Sequence, residues 1–152
     1  MNQDRYFDVK NNRAYTIFTF ISEGRYGRLT KILIFEELKR INNTVNLALG
    51  TVLDNQKIDF TGITNNGDKN KILATVAAIV YNFNEIYPDV GIYVSGSDTR
   101  RTILYQRAIA YAYDELTLTF NIHGDISTDD EIHDFQPFDG SKNYTGFLIE
   151  RK

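Results

Sequence analysis

The feature that most constrains the fold is a change in the spacing of apolar residues near the middle of the chain. Before this point, segments such as "YTIFTFIS" (15–22) and "VNLALGTV" (45–52) have the β-branched and aromatic composition of strands. After "TNNGD" (64–68), apolar residues recur at steps of three and four from Ile72 to Phe83, which is the period of an amphipathic helix. The sequence therefore predicts several strands followed by a helix.

Further segments complete the predicted fold. They are a possible edge strand "YFDV" (6–9), a hairpin partner "RLTKILIFE" (28–36), a short "IDF" (58–60), a central strand "VGIYV" (90–94), a second helix, and strands in "LTLTFNIHG" (116–124) and "NYTGFLIER" (143–151). This order differs from the regular alternation of a doubly wound fold. It predicts an α+β fold in which a mainly antiparallel sheet of about six or seven strands carries two helices, at about 68–87 and 99–115, on one face.

Length and composition restrict the class of protein. A chain of 152 residues with 10 tyrosines and 10 phenylalanines fits a single globular domain, residues 1–152. It has no cysteine, and its N-terminus lacks the apolar stretch of a signal peptide. No apolar run approaches the roughly 20 residues of a membrane span. We therefore expect a cytoplasmic protein without a membrane partner, and the net charge of −3 argues mildly against general nucleic-acid coating.

The densest group of candidate ligand-binding residues is the junction between strand 90–94 and the second helix. Helix N-termini bind anions because their first N–H groups are unpaired and carry a partial positive charge. The sequence "SGSDTRR" adds hydroxyl groups, a glycine that lets the backbone approach a ligand, and the forked donors of arginine. The predicted anion-binding residues are Ser95, Gly96, Ser97, Arg100, Arg101, Thr102 and Tyr105.

Asp98 keeps a second interpretation of the junction open. A carboxylate at this position is a good N-cap, which would bond the first-turn N–H groups from within the chain and would repel phosphate. The junction also lacks the spacing of both common nucleotide-binding signatures. Arg101 falls at the edge of the apolar face of the helix, whereas Arg100 and Arg107 share a different stripe and are expected to be surface charges. Arg101 is therefore the arginine that needs a partner, from its own chain or from a ligand.

The other candidates for chemistry are two histidines and an acidic loop. His123, on the polar face of its predicted strand, is a weak acid–base candidate, and His133 lies in the loop "DISTDDEIHDFQPFDG" (125–140). An EF-hand frame that starts at Asp125 fails, because Asp130 stands where glycine is needed. The loop is interpreted as a solvated charge run without a metal. No catalytic residues and no cofactor are predicted.

The hairpin "EGRYGRLTK" (23–31) keeps a nucleic-acid interpretation open. It combines Tyr26 with the basic residues Arg25, Arg28 and Lys31, and such combinations form stacking platforms for single strands. An exposed hairpin tip with Arg and Tyr is commonplace in proteins that bind no nucleic acid, and this is the favoured interpretation.

Three segments carry patterns that go beyond periodicity. They are "NNGDKNKILATVAAIVYNF" (65–83), "YPDVGIYVSGSDTRRTILYQRAI" (87–109) and "KNYTGFLIERK" (142–152). Together they resemble a family of small bacterial proteins classed as a domain of unknown function, with the patterns N-G-D…L-A-T-V and G-S-x-x-x-R-T-x-L-Y. The second pattern falls on Arg101 and not on Arg100. Members often have proline where this chain has Thr99, which implies a helix start capped by Asp98. The resemblance implies no activity.

These observations favour a non-enzymatic binding or interaction module. Its ligand would be an anion, namely a nucleotide, a nucleic-acid phosphate or an acidic protein partner, held at Ser95–Arg101. The alternative is a small phosphodiesterase-like or nuclease-like enzyme, such as a defence or toxin–antitoxin component, with Arg101 for charge and His123 as acid or base. A homodimer whose helices pack across a two-fold axis is a third alternative.

Overall fold

The structure is a computed structural model that describes residues 4–60, 66–129 and 132–152. The strands are β1 Lys10–Asn11, β2 Ile17–Gly24, β3 Gly27–Glu37, β4 Thr44–Val52, β5 Ile58–Asp59, β6 Gly91–Val94, β7 Phe120–Asp125, β8 Phe135–Pro137 and β9 Gly146–Arg151. The helices are α1 Lys69–Ile86, α2 Thr99–Tyr111 and α3 Tyr113–Leu116. Over the described ranges, none of these helices combines the length and the apolar character that crossing a bilayer requires.

The chain forms two compact units, and each is assembled from two separate stretches of sequence. The first unit contains Met1–Phe35 and Ala48–Tyr87, and the second contains Glu36–Leu47 and Pro88–Lys152. Strand β4 is therefore divided between the units. Its residues up to Leu47 belong to the second unit, and those from Ala48 belong to the first. The single domain over residues 1–152 stays a prediction.

The first unit is built on an antiparallel hairpin. Strands β2 and β3 pair down to Gly24↔Gly27, and the turn between them lies within the predicted hairpin 23–31. Gly27 has a φ of 84°, a left-handed conformation that glycine adopts without strain. The edge strand expected at 6–9 is wrong, because the Tyr6 amide donates to the Thr75 hydroxyl at 2.9 Å instead of to a neighbouring strand.

Helix α1 confirms the predicted period of three and four residues. Its Ile72 and Phe83 are buried, and the Phe83 ring stacks on Phe35 of β3 with centroids 4.0 Å apart. Burying such side chains contributes about 1.5–3 kcal/mol each, so this face holds the helix against the hairpin. The helix ends at Ile86, because Pro88 disfavours helical geometry in the residue before it.

A polar cluster ties the start of α1 to the hairpin. Asn66 is 2% exposed, and its side-chain oxygen accepts from the Tyr26 amide at 2.6 Å. Its amide group donates to the Ser22 hydroxyl and to the Gly27 carbonyl, at 3.1 Å each. A Cβ on Gly24 would overlap the Asn66 carbonyl, so glycine is required where the hairpin meets this loop.

Asp68 completes this cluster from the N-cap position of α1. It makes no side-chain cap bond; its Oδ2 accepts from the Tyr6 hydroxyl at 2.5 Å and from the Ser22 hydroxyl at 2.6 Å. Its Oδ1 is buried and has no hydrogen-bond partner within the described residues. The N-G-D segment therefore joins the helix start to the hairpin.

The second unit makes the sheet mixed. The first half of β4 pairs in parallel with β6, from Thr44↔Gly91 to Leu47↔Val94, while β9 pairs antiparallel with β6 and with β7. The expectation of a mainly antiparallel sheet agrees with these pairings apart from the parallel pair of β4 and β6, and the expected six or seven strands are corrected to nine among the described residues. The parallel pair arises because a long crossover, rather than a tight turn, connects β4 to β6. Since α1 belongs to the first unit and α2 to the second, their placement on one face stays a prediction.

The second predicted helix is shorter than expected. The helix expected over 99–115 ends at Tyr111, and a separate short helix, Tyr113–Leu116, follows it. Because this helix takes up part of the sequence expected as a strand, β7 begins only at Phe120. Leu118, which alternation places within that strand, is 81% exposed.

Candidate anion site at the start of helix α2

The strand that leads into the junction is buried and held on both edges. All four residues of β6, Gly91–Val94, are buried, and β4 and β9 are its neighbours in the sheet. Ile92 has no exposed surface. The loop after Val94 therefore starts from a rigid support, as binding loops commonly do.

The start of α2 is closed by the chain itself. Asp98 Oδ1 accepts a hydrogen bond from the Arg101 amide at 2.9 Å, so the predicted N-cap is confirmed. The Asp98 carbonyl accepts from the Thr102 amide at 3.1 Å and from the Thr102 hydroxyl at 3.0 Å. The Thr102 hydroxyl in turn accepts from the Gly96 amide at 3.1 Å. These bonds occupy N–H groups that the anion hypothesis assigns to a ligand.

Gly96 is required by packing. A Cβ at this position would overlap the Thr102 nitrogen and would lie 2.5 Å from Arg101 Cβ. The loop therefore approaches the first helical turn more closely than a side chain permits. Its use for the approach of a ligand stays a prediction.

Arg101 and Tyr105 are both half-buried. Burial raises the pKa of the Tyr105 hydroxyl, and the positive charge of Arg101 lowers it in part. Arg101 is also engaged in an interaction within the protein. Arg100 and Arg107 are exposed, which confirms the predicted difference between Arg101 and the other two arginines.

The other predicted residues of the junction also differ in how far they are exposed to solvent. Ser95 is half-buried, Ser97 is exposed, and Thr102 is buried in the capping network. Ser97 and Arg100 are therefore the residues that solvent reaches most easily, whereas Thr102 serves the helix start.

His123 lies on β7, opposite Leu148 of β9 and Pro137 of β8. Its side chain is half-buried, and its Nδ1 is buried without a hydrogen-bond partner in the part of the chain that the structure describes. A general base needs a ring nitrogen within reach of its substrate. His123 therefore remains an acid–base candidate by residue type alone.

The acidic loop contains a buried network that the sequence did not reveal. Asp125 is 2% exposed, so the interpretation of this residue as part of a solvated charge run is wrong. Its Oδ1 accepts from the Ser127 amide at 3.0 Å and from the Asp134 amide at 3.1 Å. Its Oδ2 accepts from the Tyr93 hydroxyl at 2.9 Å and lies 2.7 Å from His133 Nδ1.

The electrostatics of this network favour the charged carboxylate. Burial raises the pKa of Asp125, but the hydrogen bonds from His133, from the two amides and from Tyr93 outweigh burial and hold the pKa below its usual range. A Cβ on Gly146 would overlap the Tyr93 hydroxyl, so this glycine makes room for the tyrosine. The signal that could have indicated the network is a tyrosine in a buried strand, whose hydroxyl needs a partner.

His133 connects this network to the surface. Its ring stacks on Phe135 with centroids 5.4 Å apart and planes at 4°, and it meets the edge of the Tyr93 ring at 5.2 Å. Its Nε2 lies 2.9 Å from Nε of Arg40, whose side chain is exposed. No group of three or more His, Asp or Glu side chains among the described positions could hold a metal ion.

The hairpin platform is smaller than the sequence suggests. Tyr26 is 64% exposed, and Arg28 lies 3.6 Å from Glu23 in an exposed ion pair. Lys31, however, is 5% exposed, and its Nζ donates to the Thr51 hydroxyl at 2.7 Å. Lys31 is therefore a buried residue of the sheet and is removed from the proposed basic surface.

The fold and the junction define the class of this protein as an α+β protein with a mixed sheet and a capped strand–helix junction. The chain belongs to a family of unknown function, DUF6934, whose profile matches residues 2–152. The resemblance drawn from the three sequence segments is therefore confirmed. No curated protein and no solved structure matches the chain.

Proposed function

We propose that this protein is a non-enzymatic binding module that holds an anion at the Ser95–Arg101 junction. The observation that supports this proposal most is the placement of the half-buried Arg101 and Tyr105 one turn apart on α2, with the exposed Arg100 next to Arg101 in the sequence. A guanidinium ordered by its surroundings loses little freedom when it binds a phosphate or carboxylate, and its fork matches both groups. The ligand would be a nucleotide, a nucleic-acid phosphate or an acidic partner.

The cap restricts how such an anion would be held. Because Asp98 already bonds the Arg101 amide, the ligand would be bound by the side chains of Ser97, Arg100 and Arg101 and less by helix amides. The Asp98 charge opposes an anion, and the two arginines offset it. Binding held by exposed charges should weaken strongly as the salt concentration rises.

Thermal unfolding of the full chain with added anions tests this proposal. Inorganic phosphate, a nucleoside triphosphate and a single-stranded oligonucleotide would each be titrated. A ligand that binds only the folded state stabilises it by about 2.7 kcal/mol at a hundred times its Kd.

Two matched variants separate the site from general charge. Arg101→Ala should remove the stabilisation by the anion, whereas Arg107→Ala, an exposed arginine on the same helix, should keep it. The stability of each variant without ligand provides the reference. Stabilisation by none of the anions, or the same response in both variants, would contradict the proposal.

The enzymatic alternative assigns charge to Arg101 and acid–base chemistry to His123. Incubation of the protein with RNA and DNA, with and without Mg²⁺, tests it directly. Cleavage by the unmodified protein that is lost in His123→Ala would show that the protein is a nuclease and would contradict the proposal of a non-enzymatic binding module. The cytoplasm as compartment and a homodimer as assembly are part of the same proposal, and light scattering measures the second.

A further inference from the structure

The contacts with Asp125 and Arg40 assign the hydrogen-bond roles of the two His133 ring nitrogens. Because the carboxylate stays ionised, His133 Nδ1 is the donor in the 2.7 Å hydrogen bond between them. Arg40 is always protonated, so its Nε is the donor in the 2.9 Å bond to His133 Nε2. In this arrangement Nε2 is the acceptor, and its lone pair is directed at Arg40.

This lone pair is held in a fixed position at the surface. Phe135 stacks on one side of the ring, the Tyr93 ring meets it edge-on, and Asp125 fixes its Nδ1. Only 9% of the His133 side chain is exposed, whereas Arg40 is an exposed residue of the turn before β4. The buried chain of hydrogen bonds therefore reaches solvent at the guanidinium of Arg40.

Anchoring of the loop does not by itself require this arginine. The Asp125 carboxylate already accepts from two amides of the loop and from Tyr93. An exposed arginine loses considerable side-chain freedom when it is held against a single ring nitrogen. A basic nitrogen oriented by a buried carboxylate, with a cation beside it, is instead the arrangement of groups that recognise or deprotonate a ligand.

We propose that the Arg40 guanidinium and His133 Nε2 form a binding site for the protonated form of a phosphate monoester. The ligand replaces the bond between Arg40 and His133: its P–O–H group donates to Nε2, and the released guanidinium binds two other phosphate oxygens with its fork. Both partners keep their hydrogen bonds in this exchange. The exposed carboxylate of Asp134 opposes the anion, so the charge of Arg40 is necessary for binding.

A pair of ligands that differ in one proton tests the site. At a pH of about 6.5, part of phenyl phosphate keeps its second proton, whose pKa is about 6, whereas phenyl sulfate has no such proton. The resonances of the His133 ring nitrogens and of Arg40 Nε in the full chain would report binding. We expect saturable shifts with phenyl phosphate and at least about tenfold weaker binding of phenyl sulfate. No saturable shift, or equal affinities for the two ligands, would overturn the proposal.

Neighbouring basic residues provide the matched variants. Arg40→Gln should weaken phenyl phosphate binding by about tenfold or more, whereas Lys39→Gln, in the same exposed turn, should change it by less than about twofold. His133→Asn should remove the preference for phosphate over sulfate. Equal losses in the Lys39 and Arg40 variants would show unspecific attraction by charge and would overturn the site. Because the resonances of His133 and Arg40 report this site, a failure of the junction to bind anions would not change the expected result.

Discussion

Asp68 in the first unit and Asp125 in the second each accept several hydrogen bonds, and the two carboxylates differ in where these hydrogen bonds lead. In the first unit, Asp68 accepts from the Tyr6 and Ser22 hydroxyls with one oxygen, while its other oxygen is buried without a partner among the described residues. In the second, Asp125 uses both oxygens, and one of its partners, His133, continues to the exposed Arg40. A carboxylate bonded to hydroxyls fixes a turn, whereas one bonded to an imidazole also orients a group at the surface.

The difference matters for the interpretation of sequence motifs. The N-G-D motif is the part of the first unit most easily recognised in the sequence, and it lies in the cluster that joins the helix start to the hairpin. In the second unit, hydrogen bonds lead from Tyr93 through Asp125 and His133 to Arg40. No local sequence pattern connects these residues. A recognisable motif and a chemically suggestive arrangement therefore occur in different units of this protein.

The largest expected effect is the loss of the Asp125 acceptor. Asp125→Ala leaves two amides, Tyr93 and His133 without their partner in a buried place, and each such loss costs about 1–3 kcal/mol. We expect the free energy of unfolding, measured by urea denaturation at neutral pH, to fall by about 3–5 kcal/mol. Asp134→Ala, an exposed change in the same loop, should cost about 0.5 kcal/mol or less. If both variants lose a similar amount of unfolding free energy, Asp125 contributes no more to stability than an exposed carboxylate of the same loop.

A smaller loss is expected from the cluster of the first unit. Asn66→Ala removes three side-chain hydrogen bonds, from the Tyr26 amide, to Ser22 and to Gly27. Because Asn66 is buried, the free energy of unfolding should fall by about 2–3 kcal/mol. Asn55→Ala, in an exposed turn, is the control. If the two variants lose the same amount, the cluster does not hold the helix start.

The pH dependence of stability distinguishes the charged network further. Since the pKa of Asp125 is lowered in the folded state, its stabilisation is complete above the ordinary carboxyl pKa of about 3.9. It is lost as the pH falls from there through the folded-state pKa. Urea denaturation at a series of acidic pH values should show a steeper loss for the unmodified protein than for Asp125→Asn. If the two curves of unfolding free energy against pH are parallel, Asp125 does not cause the loss of stability at acidic pH.

The smallest effect is expected from Asp68→Asn. An asparagine keeps one carbonyl oxygen for Tyr6 and Ser22, and its amide nitrogen takes the place of the oxygen without a partner. The free energy of unfolding should change by about 1 kcal/mol or less in urea denaturation. A loss as large as that of Asp125→Ala would show that both carboxylates are equally dependent on their charge.

Local patterns predicted much of the fold. Helix α1 and the hairpin follow from apolar spacing and glycine positions, and the Asp98 cap follows from residue type at a helix start. The parallel pairing of β4 with β6 could not be predicted, because it depends on which distant strands meet. The end of α2 at Tyr111 has no glycine or proline to mark it, so the helix was expected to continue.

The candidate sites were predictable to a smaller extent. The contrast between Arg101 and Arg100 follows from their positions on the helix, since spacing decides which side chain is covered. The burial of Asp125 could not be predicted, because a loop with many carboxylates has the composition of a solvated segment. Its burial depends on two backbone amides and on a tyrosine from a distant strand.

The close approach of Gly146 to Tyr93 has a consequence for the family. A side chain at 146 would occupy the space of the tyrosine hydroxyl, so the two positions cannot both be large. Relatives should therefore vary at these positions in a correlated manner, with tyrosine at the first only where glycine stands at the second. The residues at positions 93 and 146 of an alignment would then indicate which members of the family have kept the hydrogen bonds between Tyr93, Asp125 and His133.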